Sequence, residues 1–221
     1  MRSRASTGVT LRPYPPAVGF YGEQVLPRLT DRMLANREFA KLRKEVCAGL
    51  HGDIVEIGFG SGLNMPFLPP AVTGVWAVEP SSAARRIAAK RISASPVPLH
   101  EAGLDGARLD SPDARFDAAL STMTLCTIPD VHAALHELRR VLKPNAVFHF
   151  AEHGHARHSR VARRQDRWNG VQRRVAGGCN LNREIASLLT DVGFEIETLR
   201  NLYLKGPKPW GYMYVGRARN P

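Results

Sequence analysis

Val55-Glu56-Ile57-Gly58-Phe59-Gly60-Ser61-Gly62 is the stretch that decides the fold. Ile54, Val55 and Ile57 make a short apolar run of the kind that forms a buried strand, and it ends in three glycines at alternate positions. Glycine admits left-handed backbone and close approach. A strand running into such a cluster, and then into a helix, lays bare backbone against a ligand at the carboxyl edge of a parallel sheet. A dinucleotide fingerprint requires glycine at position 63, where this chain has Leu63. The observed spacing, with Glu56 two residues ahead of the first glycine, suits a ligand without a pyrophosphate to cradle. Some twenty residues on, Glu79 ends the next apolar run, Val75–Val78, where a carboxylate can accept hydrogen bonds from both hydroxyls of a ribose.

Outward from this stretch the chain alternates strands and helices. Val97–Glu101, Phe116–Leu120 and Val147–Ala151 read as strands, and Ala83–Ile92 and Val131–Leu142 as helices. Leu181–Val192 reads as a helix stopped by Gly193, with Asn180 as its N-cap. Phe194–Leu199 and Tyr212–Gly216 close the chain as two strands. The loop between them leaves no room for a helix, so they form an antiparallel edge pair. The expected architecture is α/β: a mostly parallel seven-stranded sheet with an antiparallel edge and helices on both faces. Upstream, Pro13, Pro15 and Pro16 break residues 1–20 into an arm, and Tyr21–Leu50 is helical. The expected division is an N-terminal arm and helical cap over 1–50 and one ligand-binding unit over 51–221.

This arrangement resembles the class I S-adenosylmethionine (SAM) methyltransferases over roughly residues 50–200, which implies their Rossmann-like fold. The resemblance implies that Glu56 and the loop Gly58, Gly60 and Gly62 hold the methionine end of SAM and that Glu79 holds the ribose. Asp105 and Gly106 occupy the place where the family holds the adenine amino group. Ser121 and Thr122 line the cleft at the end of the fourth strand. Leu138-Arg139-Arg140-Val141-Leu142-Lys143-Pro144 resembles the family's entry into the fifth strand, with Asn145-Ala146 where two glycines are usual; asparagine tolerates the left-handed geometry of that turn. A narrower resemblance rests on Leu125-Cys126-Thr127, Phe148–His153, Gly178–Glu184 and Tyr212-Met213-Tyr214. These segments are similar to the animal membrane-associated alkyl-thiol S-methyltransferases, and more distantly to quinone and phospholipid methyltransferases.

Composition narrows the alternatives. The chain has 221 residues, 43% of them hydrophobic and 23% charged, which fits one folded domain and excludes wholesale disorder. No apolar run approaches the ~20 residues of a spanning helix. Cys47, Cys126 and Cys179 form neither a disulfide framework nor a CxxC knuckle, which agrees with a reducing cytoplasm. Formal net charge is +11, carried by 25 arginines and only six lysines. Such an excess draws a chain towards nucleic acid or anionic lipid without specifying its fold. No nucleic acid is expected as a partner, because the fourth strand runs into Ser121-Thr122-Met123-Thr124 and lacks an [Asn/Asp]-Pro-Pro-aromatic segment. No obligate protein partner is evident either.

The acceptor chemistry falls on the second half. A methyl transfer from a sulfonium is an in-line displacement, so alignment matters most, and a thiol acceptor reacts as its thiolate. His153, past the fifth strand, is the candidate base. Tyr21, Cys179 and Asn180 are the candidates for a small-molecule acceptor pocket, with thiol favoured, lipid amine or quinol as the alternative, and a chain that binds SAM without catalysis as a further one. Glu152-His153-Gly154-His155-Ala156-Arg157-His158 resembles a metal-ligand run, but it is dense in arginine and no cysteine stands near it in sequence, so no metal is expected. Residues 157–174 carry seven arginines and one aspartate, with Val161, Trp168, Val171 and Val175 on one stripe. The stripe is expected to pack on the sheet and leave a solvated basic face; peripheral contact with anionic membrane is the alternative.

Overall fold

In the computed structural model, which describes residues 19–221, seven strands make one sheet: β1 (Gly52–Ile57), β2 (Val72–Val78), β3 (Leu99–Gly103), β4 (Phe116–Thr122), β5 (Leu142–His153), β6 (Glu195–Tyr203) and β7 (Tyr212–Arg219). Their order is β3-β2-β1-β4-β5-β7-β6. The first five run parallel, while β7 is antiparallel to both β5 and β6 and closes the expected antiparallel pair at that edge. The part of the proline-broken arm up to residue 18 lies outside the described residues.

The helices are α1 (Leu26–Leu34), α2 (Arg37–Cys47), α3 (Ser82–Ser93), α4 (Val131–Val141), α5 (Ser159–Val175), α6 (Ile185–Asp191) and the short α7 (Lys208–Gly211). The helix expected over Tyr21–Leu50 is divided. A π-turn at Tyr21–Val25 leads into α1, and Asn36 then starts α2, its Oδ1 accepting the N–H groups of Glu38 and Phe39 at 2.9 and 3.1 Å. The helix expected after the glycine loop is reduced to a single 3-10 turn, Met65–Phe67. Pro66, Pro69 and Pro70 withhold the N–H groups that a longer helix needs. The helix expected from Leu181 begins only at Ile185, so Asn180 caps nothing: its amide donates to the carbonyls of Cys126 and Gly178. One helical turn, α7, also fits between the last two strands.

Period-two alternation assigns the strand side chains to two cores. Val55 and Ile57 of β1, with Phe148 and Phe150 of β5, face Leu135 and Leu138 of α4 and Ile185 and Leu189 of α6. Ile54, Val75 and Leu120 face Leu42, Val46 and Cys47 of α2 and Ala88 of α3 on the other side. Glu56 and Thr122 therefore fall on the α2 side, and Ser121 and Glu152 on the α4 side.

Helix α5 departs from the expected stripe. Val161 is buried, but Trp168, Val171 and Val175 are 48%, 49% and 51% exposed. The inward face runs instead through Gln165, Asn169 and Gln172. Gln165 accepts from Ala156 N–H at 2.8 Å and donates to the carbonyls of Gly154 and Pro209. Asn169 accepts from Leu181 N–H at 2.7 Å, and Gln172 from the Trp210 indole at 2.9 Å. Loops pass beneath this helix, and their backbone groups demand polar partners.

Asn145 holds the turn into β5 at φ +65°, as the sequence predicts, and its N–H donates to the Asn220 carbonyl at 2.7 Å. Asn145→Gly should leave stability within about 1 kcal/mol, since glycine accepts this conformation freely. Asn145→Val should cost about 1–3 kcal/mol, because a β-branched residue is strained there. Urea denaturation of the two variants checks the contrast, and equal midpoints would refute it.

Candidate active site

The carboxyl edge of β1, β2 and β4 gathers the candidate cofactor residues. Gly58, Gly60 and Gly62 all take positive φ, at 70°, 58° and 73°. At Gly58 the requirement is also spatial, because a Cβ would overlap the side chain of Thr124 in the loop after β4. At Gly60 a Cβ would meet nothing closer than the Gly58 carbonyl at 3.8 Å, so the loop presents open backbone there. Glu79, at the tip of β2, accepts from Gly60 N–H and Ser81 N–H, each at 2.7 Å. It thereby shapes the loop and keeps two lone-pair sites for other donors. Burial holds its carboxyl above the ordinary range. A Cβ at Gly106 would meet Ile57 Cγ2, at the end of β1, at 3.4 Å, and the neighbouring Asp105 is exposed, with one oxygen accepting from Ala107 N–H.

Beneath the loop lies a buried polar cluster. Asn64 donates to Glu56 Oε1 at 2.7 Å and to Thr122 Oγ1 at 3.0 Å; Arg43, from α2, donates to Asn64 Oδ1 and Thr122 Oγ1, both at 2.9 Å. Glu56 Oε2 and Arg43 Nε are buried without a hydrogen-bond partner among the described residues. Full burial pushes the Glu56 carboxyl up to about 8, against the opposing pull of Asn64 and Arg43. Sequence reasoning found Glu56 and Thr122 but missed Arg43 and Asn64, which no local spacing connects. A second unforeseen clamp ties α1 to the loop. Ser61 donates to Asp31 at 2.6 Å, and Arg91 of α3 bonds both Asp31 and the Ser61 carbonyl at 2.8 Å.

Ser121, expected at the cleft, sits on the α4 side at the end of β4. It is fully buried and donates to Glu152 Oε1 at 2.7 Å. The Glu152 carboxylate also collects Thr124 N–H at 2.9 Å, with further bonds from the Leu125 and Cys126 backbones. Burial nonetheless raises this carboxyl to about 7. These bonds fix a loop whose first residue, Met123, is held at φ +58°.

That loop ends in a group of thiols. Cys126 Sγ and Cys179 Sγ are 3.7 Å apart, and His153 Nδ1 is 3.9 Å from Cys179 Sγ. All three residues are buried. The expectation that no cysteine neighbours His153 fails here, because α5 returns residue 179 to the end of β5. The Cys179 thiol is acidified by the bond from Cys126 and, after it, by His153, while the same bond and burial push the Cys126 thiol up. His153 Nε2 lies 3.2 Å from the Pro209 carbonyl, so both ring nitrogens already face protein partners. His155 pairs instead with Glu184 and Asp166, and the His-rich run is not one site. Tyr21 donates to the Val175 carbonyl at 3.0 Å, which brings it to the end of α5, on the side from which Cys179 and Asn180 emerge.

Residues 22–199 match the profile of the methyltransferase domain family. The chain belongs to that family. It is a SAM-dependent methyltransferase. Human thiol S-methyltransferase TMT1A is 25% identical over 197 residues, spanning 80% of this chain and 77% of the relative. Human thiol S-methyltransferase TMT1B is 26% identical over 225 residues, covering 92% and 85%. The crystal structure of a SAM-dependent methyltransferase from Thermotoga maritima superposes with a TM-score of 0.64 at 22% identity, covering 89% of this chain and 98% of that one. The residues present fit the cofactor: the unpartnered Glu56 oxygen suits a donor such as the ammonium of SAM, and the open backbone at Gly60 and the free lone pairs of Glu79 suit its other polar groups.

An ammonium bound at Glu56 requires the carboxylate. The free carboxyl titrates at about 8, so below that value binding must first expel a proton. SAM affinity should therefore rise with pH from 6 towards 8, by up to about tenfold per unit, and fall again above it, where an α-amino group of pKa ~7.7–8.0 loses its own proton. Glu56→Gln should bind more weakly at pH 8 and show no such slope. Calorimetry at several pH values reads both, and a flat wild-type profile would remove Glu56 from this role.

Proposed function

We propose that this enzyme methylates a small, rather apolar thiol. The similarity to two thiol S-methyltransferases carries the reading, because it spans 80% and 92% of this chain and so takes in the acceptor side as well as the cofactor cradle. The chemistry of the acceptor side agrees. Residues at the tips of β4 and β5 offer sulfur, hydroxyl and apolar groups, and the one carboxylate among them, Glu152, is spent on backbone N–H groups. A thiol needs no strong base, since an ordinary one ionises near ~8.5 and its thiolate is intrinsically nucleophilic.

SAM supplies an electrophilic methyl group on a sulfonium. With SAM bound, an acceptor thiolate would take that methyl group as the sulfonium C–S bond breaks, which would leave two neutral thioethers and ask no proton transfer of the chain. What this chain does is hold the two reactants in line and exclude water. The glycine loop and Glu79 fix one side, and the Glu152-bound loop closes against it where Thr124 fills the space over Gly58.

The exposed side of α5 supports peripheral attachment to anionic membrane, where lipophilic thiols partition. Trp168, Val171 and Val175 stand exposed among seven arginines that also face outward. No helix among the described residues is long and apolar enough to cross a bilayer.

Single-turnover methylation of an alkyl thiol should climb with pH towards the thiol's own pKa and exceed that of amines, phenols and quinols, read by S-adenosylhomocysteine release. Faster methylation of a quinol or a phosphatidylethanolamine amine would replace the thiol. Co-sedimentation with phosphatidylserine vesicles should be strong at low salt and fall as salt rises, at about 1 kcal/mol per engaged arginine. Absence of binding at low salt would leave α5 a solvated face.

A further inference from the structure

We propose that Cys126, His153 and Cys179 form a site for a thiophilic divalent cation of the zinc class. The three residues come from separate parts of the fold: the loop after β4, the last residue of β5 and the turn after α5. Their ligand atoms all lie within 4.8 Å of one another, the one such group among the described residues. Two thiolates bound tetrahedrally at ~2.3 Å stand about 3.8 Å apart, and a thiolate and an imidazole nitrogen about 3.6 Å. The observed separations are 3.7 Å between the sulfurs and 3.9 Å from Cys179 Sγ to His153 Nδ1. The remaining edge, from Cys126 Sγ to the imidazole nitrogen, lies within 4.8 Å and shortens to about 3.6 Å when an ion is bound.

The surroundings match what such a site requires. The carbonyl of Pro209 can only accept, so His153 Nε2 carries the hydrogen and Nδ1 turns its lone pair towards the sulfurs. A backbone carbonyl on the distal nitrogen is the usual device for orienting a ligating imidazole. The same carbonyl is held by the buried amide of Gln165 at 3.0 Å. Cys126 is held from both sides. Asn180 donates two bonds to its carbonyl, at 2.8 and 3.0 Å, and Glu152 accepts from its N–H. Two thiolates neutralise a divalent ion, and the neighbouring charges, Arg183 and Glu152, are of opposite sign. The ligands leave a fourth position to be filled by a small molecule such as water.

Cobalt substitution tests the site without recourse to methyl transfer. Untagged protein, reduced and stripped with chelator, should take up one Co2+ per chain with a thiolate-to-cobalt charge-transfer band, and added Zn2+ should displace it. Zn2+ should also shield Cys126 and Cys179, but not Cys47, from alkylation of the unfolded-state type under mild denaturant. Cys126→Ser, Cys179→Ser and His153→Ala should each lose or strongly weaken the band, while Cys47→Ala keeps it. SAM binding by each variant verifies that the fold survives. Wild-type protein without a charge-transfer band would overturn the site, whatever the variants do. So would a band that persists in a folded Cys179→Ser chain.

Discussion

The buried carboxylate of Glu152 organises the functional end of this molecule. It stands on β5 but spends its hydrogen-bonding capacity on β4 and the loop beyond, taking Ser121 Oγ and the N–H groups of Thr124, Leu125 and Cys126. Those donors would otherwise be buried without partners, at about 1–3 kcal/mol each. Two consequences follow from one interaction. Thr124 is set against Gly58, which closes the cofactor loop from above, and Cys126 is set against Cys179 and His153, which builds the thiol cluster.

Glu56 plays the complementary part on the other face. Its environment is as dry as that of Glu152, but its hydrogen bonds are fewer: Asn64 satisfies one oxygen and nothing among the described residues satisfies the other. Burial thus raises Glu56 further, to about 8, than Glu152, at about 7. The better-satisfied carboxylate ties two strands and a loop together, and the under-satisfied one keeps an acceptor oxygen unpaired among the described residues. Arg43 keeps the negative form of Glu56 within reach, although burial lowers the arginine's own pKa.

Helix α5 shows how the acceptor side differs from the rest. Its inward face is built from amides because irregular chain, not sheet, runs beneath it. Its apolar residues are thereby left outside with the arginines, and its far end delivers Cys179 to the core. One helix therefore presents an exposed basic and apolar surface and delivers one member of the buried thiol pair.

The amino-acid sequence by itself determined the sheet, its parallel body and antiparallel edge, and the glycine loop, because strand alternation and left-handed glycines are local properties. It also marked Asn145 as a left-handed turn. It misplaced the cap at Asn180 and the stripe of α5, where the partner that decides orientation is remote: the Cys126 carbonyl for Asn180, and the loops under α5 for Gln165 and Asn169. Arg43 and Asn64 were invisible for the same reason, each bonded to groups that spacing does not link. Only the tertiary structure decided that Cys126, His153 and Cys179 meet, because a crossover helix returns residue 179 to the end of β5 and no spacing along the chain encodes that return.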